Sequence, residues 1–132
     1  LEHVLTPDAV VEEIKRVLKP GGLVFCLIPF MQGYHASPHD YYRWTRSGIE
    51  ELFRDFKPIK IGISAGPTSS LLWILQEWLA TLFSFNIQIL YKLLLLGFMV
   101  LTFPFKWLDL VLNRYQIAIN IASSFYFYGA LE

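Results

Sequence analysis

The chain has 132 residues and carries 11 basic and 11 acidic side chains, so its formal net charge is zero. This length suits one modest domain, and the balanced charge gives no support for a nucleic-acid-binding protein. Apolar residues make up 55% of the chain and aromatic residues 17%, more than is usual for a globular domain. Residues 1–60 hold 16 of the 22 charged side chains, so the second half is predicted to carry much apolar surface.

The first element is a predicted amphipathic helix over residues 7–18. Thr6 is suited to cap its N-terminus and Pro7 to occupy its first position. The sequence Lys19-Pro20-Gly21-Gly22 ends the helix, because proline cannot continue it and glycine allows a tight reversal. The continuous apolar run from Leu23 to Ile28 then predicts a strand that is buried on both faces, as in a parallel sheet.

A polar loop follows this strand and runs from Met31 to Arg46 with two of the three histidines. Ligands of open α/β sheets bind outside the carboxyl ends of the strands, so the loop is predicted to lie beside the active site. Cys26, inside the strand, is the only cysteine and is predicted to pack as a small apolar side chain. A single cysteine allows no internal disulfide, which favours a reducing, cytoplasmic environment.

A second helix and a second strand are predicted after the loop. Thr45 can cap the helix, and Pro58 is predicted to end it. Its apolar stripe comprises Ile49, Leu52, Phe53 and Phe56. Residues 59–64 alternate between isoleucine and less apolar residues, which indicates a half-buried strand. The series helix, strand, helix, strand at this spacing predicts βαβ units with a parallel sheet.

The second half contains two long apolar stretches, residues 70–83 and 87–105. A helix that is apolar on nearly all sides is either fully buried or in lipid. The second stretch has about the 20 residues that a membrane span needs, although Lys92 and Pro104 weaken its insertion. A membrane span, a monotopic hairpin in the interface, and a helical subdomain packed on its own neighbours or on a second subunit all remain open.

The end of the chain is predicted to contain a short helix near residues 106–113 and a closing strand. The strand covers at least residues 123–128, whereas residues 114–121 fit either a strand or the tail of a helix. Three tryptophans of the second half could line an acceptor pocket, lie at a membrane interface or pack in the core. These are Trp73, Trp78 and Trp107.

Several motifs occur in a recognisable order and spacing. They are Leu1-Glu2-His3-Val4, Leu18-Lys19-Pro20-Gly21-Gly22, Pro29-Phe30 and His39-Asp40-Tyr41-Tyr42-Arg43-Trp44-Thr45, with Gly48 and Leu52-Phe53. In this order they resemble the C-terminal half of the catalytic domain of class I S-adenosylmethionine-dependent methyltransferases of the type 11 group. The end of the chain, residues 122–129, is similar to the last, antiparallel strand of that family.

The resemblance implies an α/β fold, the C-terminal half of a Rossmann-like methyltransferase sheet with an apolar helical insertion before the last strand. Residues 1–67 would form the core half, residues 68–116 the insertion and residues 117–132 the closing antiparallel strand. The implied function is methyl transfer from S-adenosyl-L-methionine to a small-molecule or lipid-linked acceptor. The glycine-rich cofactor turn of the family is absent from the chain, so the fragment alone is expected to be inactive.

The resemblance also implies roles for individual residues. Cofactor contacts would come from Leu1, Glu2 and His3. Proton transfer would come from His3, His39 or Tyr41, since neutral histidine suits a general base. The loop would form a lid or substrate wall with Pro29, Phe30, His35, Asp40, Tyr42 and Arg43. The alternative is a purely structural loop held together by hydrogen bonds between Asp40 and Arg43.

No metal is expected. His35, His39 and Asp40 have a spacing that could bind an ion, but the sequence offers no further ligand cluster. The expected partners are the methyl acceptor, a membrane surface reached through residues 68–113, and a second copy of the chain, with no nucleic acid. The expected location is the cytoplasm or the inner face of a membrane. The competing hypothesis is a non-catalytic, membrane-associated or oligomerising module derived from a methyltransferase.

Overall fold

The computed structural model describes all 132 residues and shows a mixed α/β chain. The chain forms two compact units: unit 1 comprises Leu1–Ser64 and Ser124–Glu132, and unit 2 comprises Ala65–Ser123. Unit 1 is built from α1 (Pro7–Val17), β1 (Leu23–Pro29), α2 (Arg46–Leu52), β2 (Phe56–Ala65) and β3 (Ser124–Leu131). Unit 2 is built from α3 (Pro67–Phe83), α4 (Gln88–Thr102), a 3₁₀ helix (Phe103–Leu108), α5 (Asp109–Leu112) and a second 3₁₀ helix (Gln116–Ile121).

The three strands form one antiparallel sheet in which β3 lies between β1 and β2. In the β1–β3 pair Phe25 lies opposite Tyr128 and Cys26 lies opposite Phe127. The predicted parallel pairing of the two early strands is therefore wrong, because the last strand of the chain separates them. The local alternation of helices and strands carries no information about a strand that arrives from the far end of the sequence.

Only one face of β1 is buried. Val24 and Ile28 are covered, whereas Phe25 on the opposite face is 62% exposed and its neighbours Leu23 and Leu27 are exposed as well. The prediction of a strand buried on both faces is therefore wrong. The apolar run is continuous because both faces are apolar, but unit 1 supplies a cover for only one of them.

The core of unit 1 lies on the covered face of the sheet. The rings of Phe53, directly after α2, and Phe127 of β3 stack with centroids 4.5 Å apart and planes 12° apart. Both side chains are 1% exposed. The predicted burial of Ile49, Leu52, Phe53 and Phe56 is confirmed. Only the first two lie on α2, because Phe53 follows the helix and Phe56 begins β2. Stacked aromatic side chains contribute area burial together with a favourable ring geometry.

The turn before β1 fits the predicted glycine pair. Gly21 has a φ of 74°, a left-handed conformation that favours glycine, and its N–H donates to the carbonyl of Leu131 at 2.8 Å. Thr45 caps α2 as predicted, accepting the Gly48 N–H at 3.1 Å, whereas Thr6 makes no capping hydrogen bond. The expectation that Pro58 ends the helix is wrong, because α2 ends at Leu52 and Pro58 lies within β2.

In unit 2 a buried carboxylate holds the N-terminus of α3. Asp109 accepts the N–H groups of Gly66, Thr68 and Ser69 and the hydroxyl of Ser69 at 2.7–3.2 Å. These donors are the groups that a helix leaves without intrahelical partners at its start, and the helix dipole favours a negative charge there. Asp109 therefore ties the first turn of α3 to α5.

The two ends of unit 2 are bonded to each other. The N–H of Ser123 donates to the carbonyl of Ala65 at 2.8 Å, and the hydroxyl of Ser70 donates to the carbonyl of Ile121 at 2.5 Å. Residues 116–121 form a 3₁₀ helix, so β3 begins only at Ser124 and not at residue 117. Chain entry and chain exit of unit 2 are thus adjacent.

Helices α3 and α4 form a hairpin with exposed apolar surface. Their polar side chains pair across the hairpin: the hydroxyl of Tyr91 donates to Glu77, and the amide of Gln76 donates to Thr102 at 2.5 Å. No residue of α4 is buried. The possibility that the three tryptophans of the second half pack in the core is wrong for two of them, since Trp78 and Trp107 are exposed.

One helical stretch has the length and composition to cross a membrane. It covers the 25 residues Gln88–Leu112 and contains a window of 18 residues with a mean hydropathy of 1.7, of which 6% are buried. The 3₁₀ segment Phe103–Leu108, which contains Pro104, interrupts it. The regular α-helix before the interruption therefore has the 15 residues of α4, and the four residues of α5 follow it.

The stacked core predicts unequal costs for two phenylalanines on adjacent strands. Phe127→Ala removes a fully buried ring and should lower the free energy of unfolding by about 3–5 kcal/mol. Phe25→Ala, on the exposed face of β1, is the matched control and should cost far less. Urea unfolding followed by near-ultraviolet circular dichroism measures both, and equal losses would contradict the assignment of the core to one face.

The cap on α3 predicts that unit 2 depends on one carboxylate. Asp109→Ala leaves several N–H donors unsatisfied in a buried place and should lower the unfolding free energy by about 1.5–3 kcal/mol. Asn120→Ala, at an exposed position, serves as the control. Thermal unfolding followed by far-ultraviolet circular dichroism compares the two, and a similar midpoint for both variants would exclude this role of Asp109.

Candidate functional site

The loop after β1 is closed at its base and lies entirely in unit 1. The N–H of Trp44 donates to the carbonyl of Pro29 at 2.9 Å. The two ends of the loop therefore meet where β1 ends and α2 begins. Compact loops of this kind keep a fixed shape through their own side chains and are often functional.

An ion pair between Asp40 and Arg43 fills the inside of the loop. The guanidinium donates to both carboxylate oxygens at 2.5 Å, and the carboxylate side chain is 1% exposed. Arg43 also donates to the carbonyls of Gln32 and Gly33 at 3.2 and 2.7 Å. Hydrogen bonds from Arg43 and from the backbone of His35 hold the pKa of Asp40 well below its ordinary value. The predicted Asp40–Arg43 bonds are confirmed.

The loop is also fastened to the N-terminal segment. Nδ1 of His3 lies 2.7 Å from the carbonyl oxygen of His39, and the N–H of Tyr41 donates to the carbonyl of Glu2 at 2.8 Å. The hydroxyl of Tyr42 donates to the carbonyl of Leu5 at 2.8 Å. Residues 2–5 and the loop thus form one surface, although the bonded residues lie 36 to 39 positions apart in the sequence.

Two imidazoles meet on this surface. The rings of His3 and His35 lie edge to face with centroids 5.4 Å apart. Nδ1 of His35 lies 3.0 Å from the carbonyl of Gly33, as Nδ1 of His3 lies against the carbonyl of His39. A carbonyl oxygen only accepts hydrogen bonds, so the neutral ring of His3 carries its proton on Nδ1. Nε2 of His3 lies 3.6 Å from a carboxylate oxygen of Glu2. Nδ1 of His35 lies 3.4 Å from the guanidinium of Arg43 as well.

A carboxylate completes the cluster. The donor atoms of Glu2, His3 and His35 lie within 4.8 Å of one another and could hold a metal ion, since two histidines and one carboxylate form a known ligand set. Glu2 is also engaged by the α-amino group of Leu1 at 3.0 Å. The spacing of His35, His39 and Asp40 suggested a different trio, but Asp40 is committed to Arg43 in the structure.

Of the other predicted site residues, Asp40 and Arg43 contact His35, whereas four have their side chains outside the cluster. The side chains of His39 and Tyr41 are exposed with rings 5.5 Å apart. Pro29 is buried, and Phe30 packs on Phe125 with ring centroids 5.5 Å apart. Of the three residues proposed for proton transfer, His3 therefore lies beside a second imidazole, that of His35, whereas His39 and Tyr41 lie beside each other.

Sequence reasoning missed Trp44 as a site residue. Its indole nitrogen is buried and makes no hydrogen bond, and its ring lies 5.6 Å from that of Tyr42. Buried polar groups are nearly always paired, so this N–H is a donor that a ligand could use. The aromatic run from Tyr41 to Trp44 is the only sequence signal that pointed to it.

Cys26 is a poor nucleophile in this environment. Burial raises the pKa of its thiol, and the thiolate is the reactive form. This agrees with the prediction that Cys26 packs as a small apolar side chain.

The chain does not by itself fit S-adenosylmethionine. A cofactor of this kind needs a glycine turn between a strand and a helix, where backbone approaches the ligand closely. Gly66 lies at such a junction, between β2 and α3. A side-chain carbon at Gly66 would lie 2.0 Å from Asn113 and 2.7 Å from Asp109, so these two side chains already fill that place.

Comparisons with known proteins identify no relative. A scan against models of protein families finds no match, and a search of curated proteins finds none either.

The ion pair in the loop predicts a specific dependence on pH. The lowered pKa of Asp40 means that its contribution to stability is complete above about pH 4, the ordinary carboxyl value. The contribution is lost as the pH falls from there toward the depressed value of the folded state. Asp40→Asn should cost about 1.5–3 kcal/mol at pH 7 and should remove part of the loss of stability below pH 4.

Asp55→Asn is the matched control, because Asp55 pairs with Lys15 on the surface. Exposed ion pairs contribute little, so this variant should stay close to the unchanged protein. Urea titrations at pH 7 and pH 3 provide the comparison. Parallel pH curves for Asp40→Asn and the unchanged protein would rule out this role of Asp40.

Proposed function

We propose that unit 1 is the C-terminal part of the catalytic domain of an S-adenosylmethionine-dependent methyltransferase. The observation that carries the proposal is the antiparallel pairing of β3 with β1. The resemblance implied a last strand of this direction after a helix, a Pro-Gly-Gly turn, a strand and an aromatic loop. All these parts occur in unit 1 in that order.

The free edge and the uncovered outer face of β1 support the same proposal. β1 pairs with β3 on one side and has no strand on its other edge. Its outer face exposes Leu23, Phe25 and Leu27. In α/β domains helices cover both faces of the sheet, and an uncovered edge invites a further strand. A larger methyltransferase sheet would supply both the neighbouring strand and the cover.

The loop and the N-terminal segment would form the acceptor side of the site. Methyl transfer depends largely on holding the acceptor in line with the donor. The rigid loop built on Asp40 and Arg43 can provide that positioning. His3, whose Nε2 lies 3.6 Å from the Glu2 carboxylate, can take the proton that a hydroxyl or amine acceptor loses. The indole N–H of Trp44 can donate a hydrogen bond to the acceptor.

The second candidate is a non-catalytic module that retains the methyltransferase shape. Two observations favour it: the strand–glycine–helix junction at Gly66 is filled by Asp109 and Asn113, and the outer face of β1 is open to a partner. Under this alternative the outer face of the sheet and unit 2 would serve association.

Calorimetric titration with S-adenosylhomocysteine separates the two candidates. The ligand should not bind to residues 1–132 but should bind to the same chain extended by the residues that precede Leu1 in its gene. NAD is the control ligand and should bind to neither. No binding of S-adenosylhomocysteine to the extended chain would contradict the enzyme and favour the module.

A further inference from the structure

Exposed apolar side chains are concentrated in unit 2. Of the 31 large apolar side chains that are exposed in the whole chain, 23 belong to Ala65–Ser123. They occur on α3, α4, α5 and both 3₁₀ segments. Contiguous apolar surface on this scale is uncommon in water-soluble monomers and marks a contact with a partner or a membrane.

The two long helices carry outward stripes with the same spacing, i, i+4, i+7 and i+11. On α3 the stripe is Leu71, Leu75, Trp78 and Leu82, and on α4 it is Ile89, Leu93, Leu96 and Val100. The helices also face each other with apolar side chains, so each is apolar on two sides. A helix at a water-exposed surface would carry polar residues on its outer side.

Two pairs of polar side chains are bonded between the helices of the hairpin. Glu77 accepts the hydroxyl of Tyr91, and Gln76 bonds to Thr102 across the two helices. Residues 93–105 contain no charged side chain. Polar groups paired between helices are what an apolar solvent requires, because an unpaired polar group is costly there.

The exposed charge of unit 2 has one sign. The unit contains two acidic residues, of which Asp109 is buried as the cap of α3 and Glu77 is held by Tyr91. The exposed charged residues are Lys92, Lys106 and Arg114. Basic residues beside an apolar surface are attracted to anionic lipid head groups, and the exposed Trp78 and Trp107 suit the head-group region.

The length of α3 argues against a hairpin that crosses the bilayer twice. Its 17 residues give about 25 Å at 1.5 Å a residue, short of the roughly 30 Å of a hydrocarbon core. The helical stretch Gln88–Leu112 is long enough to cross, but the 3₁₀ segment with Pro104 interrupts it. The ends of unit 2 are bonded together through Ser123 and Ala65. The chain therefore enters and leaves unit 2 at one place.

We propose that the α3–α4 hairpin of unit 2 inserts into one leaflet of an anionic lipid bilayer without crossing it. A second copy of the chain would cover one side of the hairpin, whereas lipid can cover every side that the structure leaves exposed. An open groove of about 620 Å³ between the helices, lined by Leu72, Trp73, Leu96 and Met99 among others, gives room for lipid chains. The proposal is independent of methyl transfer.

Flotation of the full chain with vesicles tests the proposal. The vesicles contain phosphatidylcholine alone or phosphatidylcholine with phosphatidylglycerol. The unchanged protein should float with both and bind more tightly to the anionic vesicles. The double variant Leu93→Glu, Leu96→Glu places two charges on the outer stripe of α4 and should lower the partition coefficient by more than about 100-fold.

The matched control is Leu23→Glu with Leu27→Glu. These leucines are exposed to a similar degree, but they lie on the outer face of β1 in unit 1, so flotation should be unchanged. The triple variant Lys92→Gln, Lys106→Gln, Arg114→Gln should weaken binding to anionic vesicles by about five-fold for each charge. Circular dichroism confirms that each variant is folded.

Three results of the flotation experiment would overturn the proposal. The unchanged protein could stay with the soluble fraction as an oligomer, the α4 variant could float as well as the unchanged protein, or only the β1 control could lose flotation. Depth is tested with Phe85→Cys in a Cys26→Ser background, since Phe85 lies at the turn of the hairpin. The maleimide cannot cross the bilayer. If it labels this cysteine only when it is enclosed inside the vesicles, the hairpin has crossed the bilayer and the proposal is overturned.

Discussion

The antiparallel pairing of β3 with β1 is the interaction on which the rest of the structure depends. It joins the last residues of the chain to the first strand and places Phe127 against Phe53 in the core. Between β2 and β3 the chain forms unit 2, and the two ends of this unit are joined by a hydrogen bond between Ser123 and Ala65. The entropy cost of closing a loop grows only slowly with its length, by about 0.6 kcal/mol for each doubling. A large insertion is therefore compatible with the sheet as long as its ends meet.

Local features were predictable from the sequence. Helix α1, strand β1, the cap of Thr45 and the loop bond between Asp40 and Arg43 all depend on residues within a few positions of one another. The apolar periodicity, the turn residues and the paired charges that indicate these features all lie within a short stretch of sequence. Such short-range patterns are the ones that can be recognised without the structure.

Features that depend on distant residues were missed. The apolar run of β1 was assigned two buried faces, but burial depends on which elements arrive from elsewhere to cover each face. The neighbour of β1 comes from residues 124–131, and Asp109 caps a helix that begins 42 residues earlier. In the site, His35 meets His3 rather than His39 because the loop folds back on the N-terminus. No spacing rule contains this information.

The surface of unit 1 suits water, whereas much of the surface of unit 2 suits lipid. Unit 1 has ion pairs on its outside, including Lys15–Asp55 and Arg46–Glu50, and a single uncovered apolar face. Unit 2 pairs Glu77 with Tyr91 inside its hairpin and exposes most of its large apolar side chains, with basic residues as its exposed charge. A methyltransferase site attached to a lipid-inserted hairpin would act on an acceptor at a membrane surface, which joins the two proposals into one account.

Hydrogen–deuterium exchange with and without anionic vesicles tests this account most directly. The account predicts that vesicles slow amide exchange in α3 and α4 and leave the exchange of β1, β3 and the loop unchanged. Slower exchange confined to β1, or no change in the hairpin, would contradict the assignment of unit 2 to lipid and of unit 1 to water.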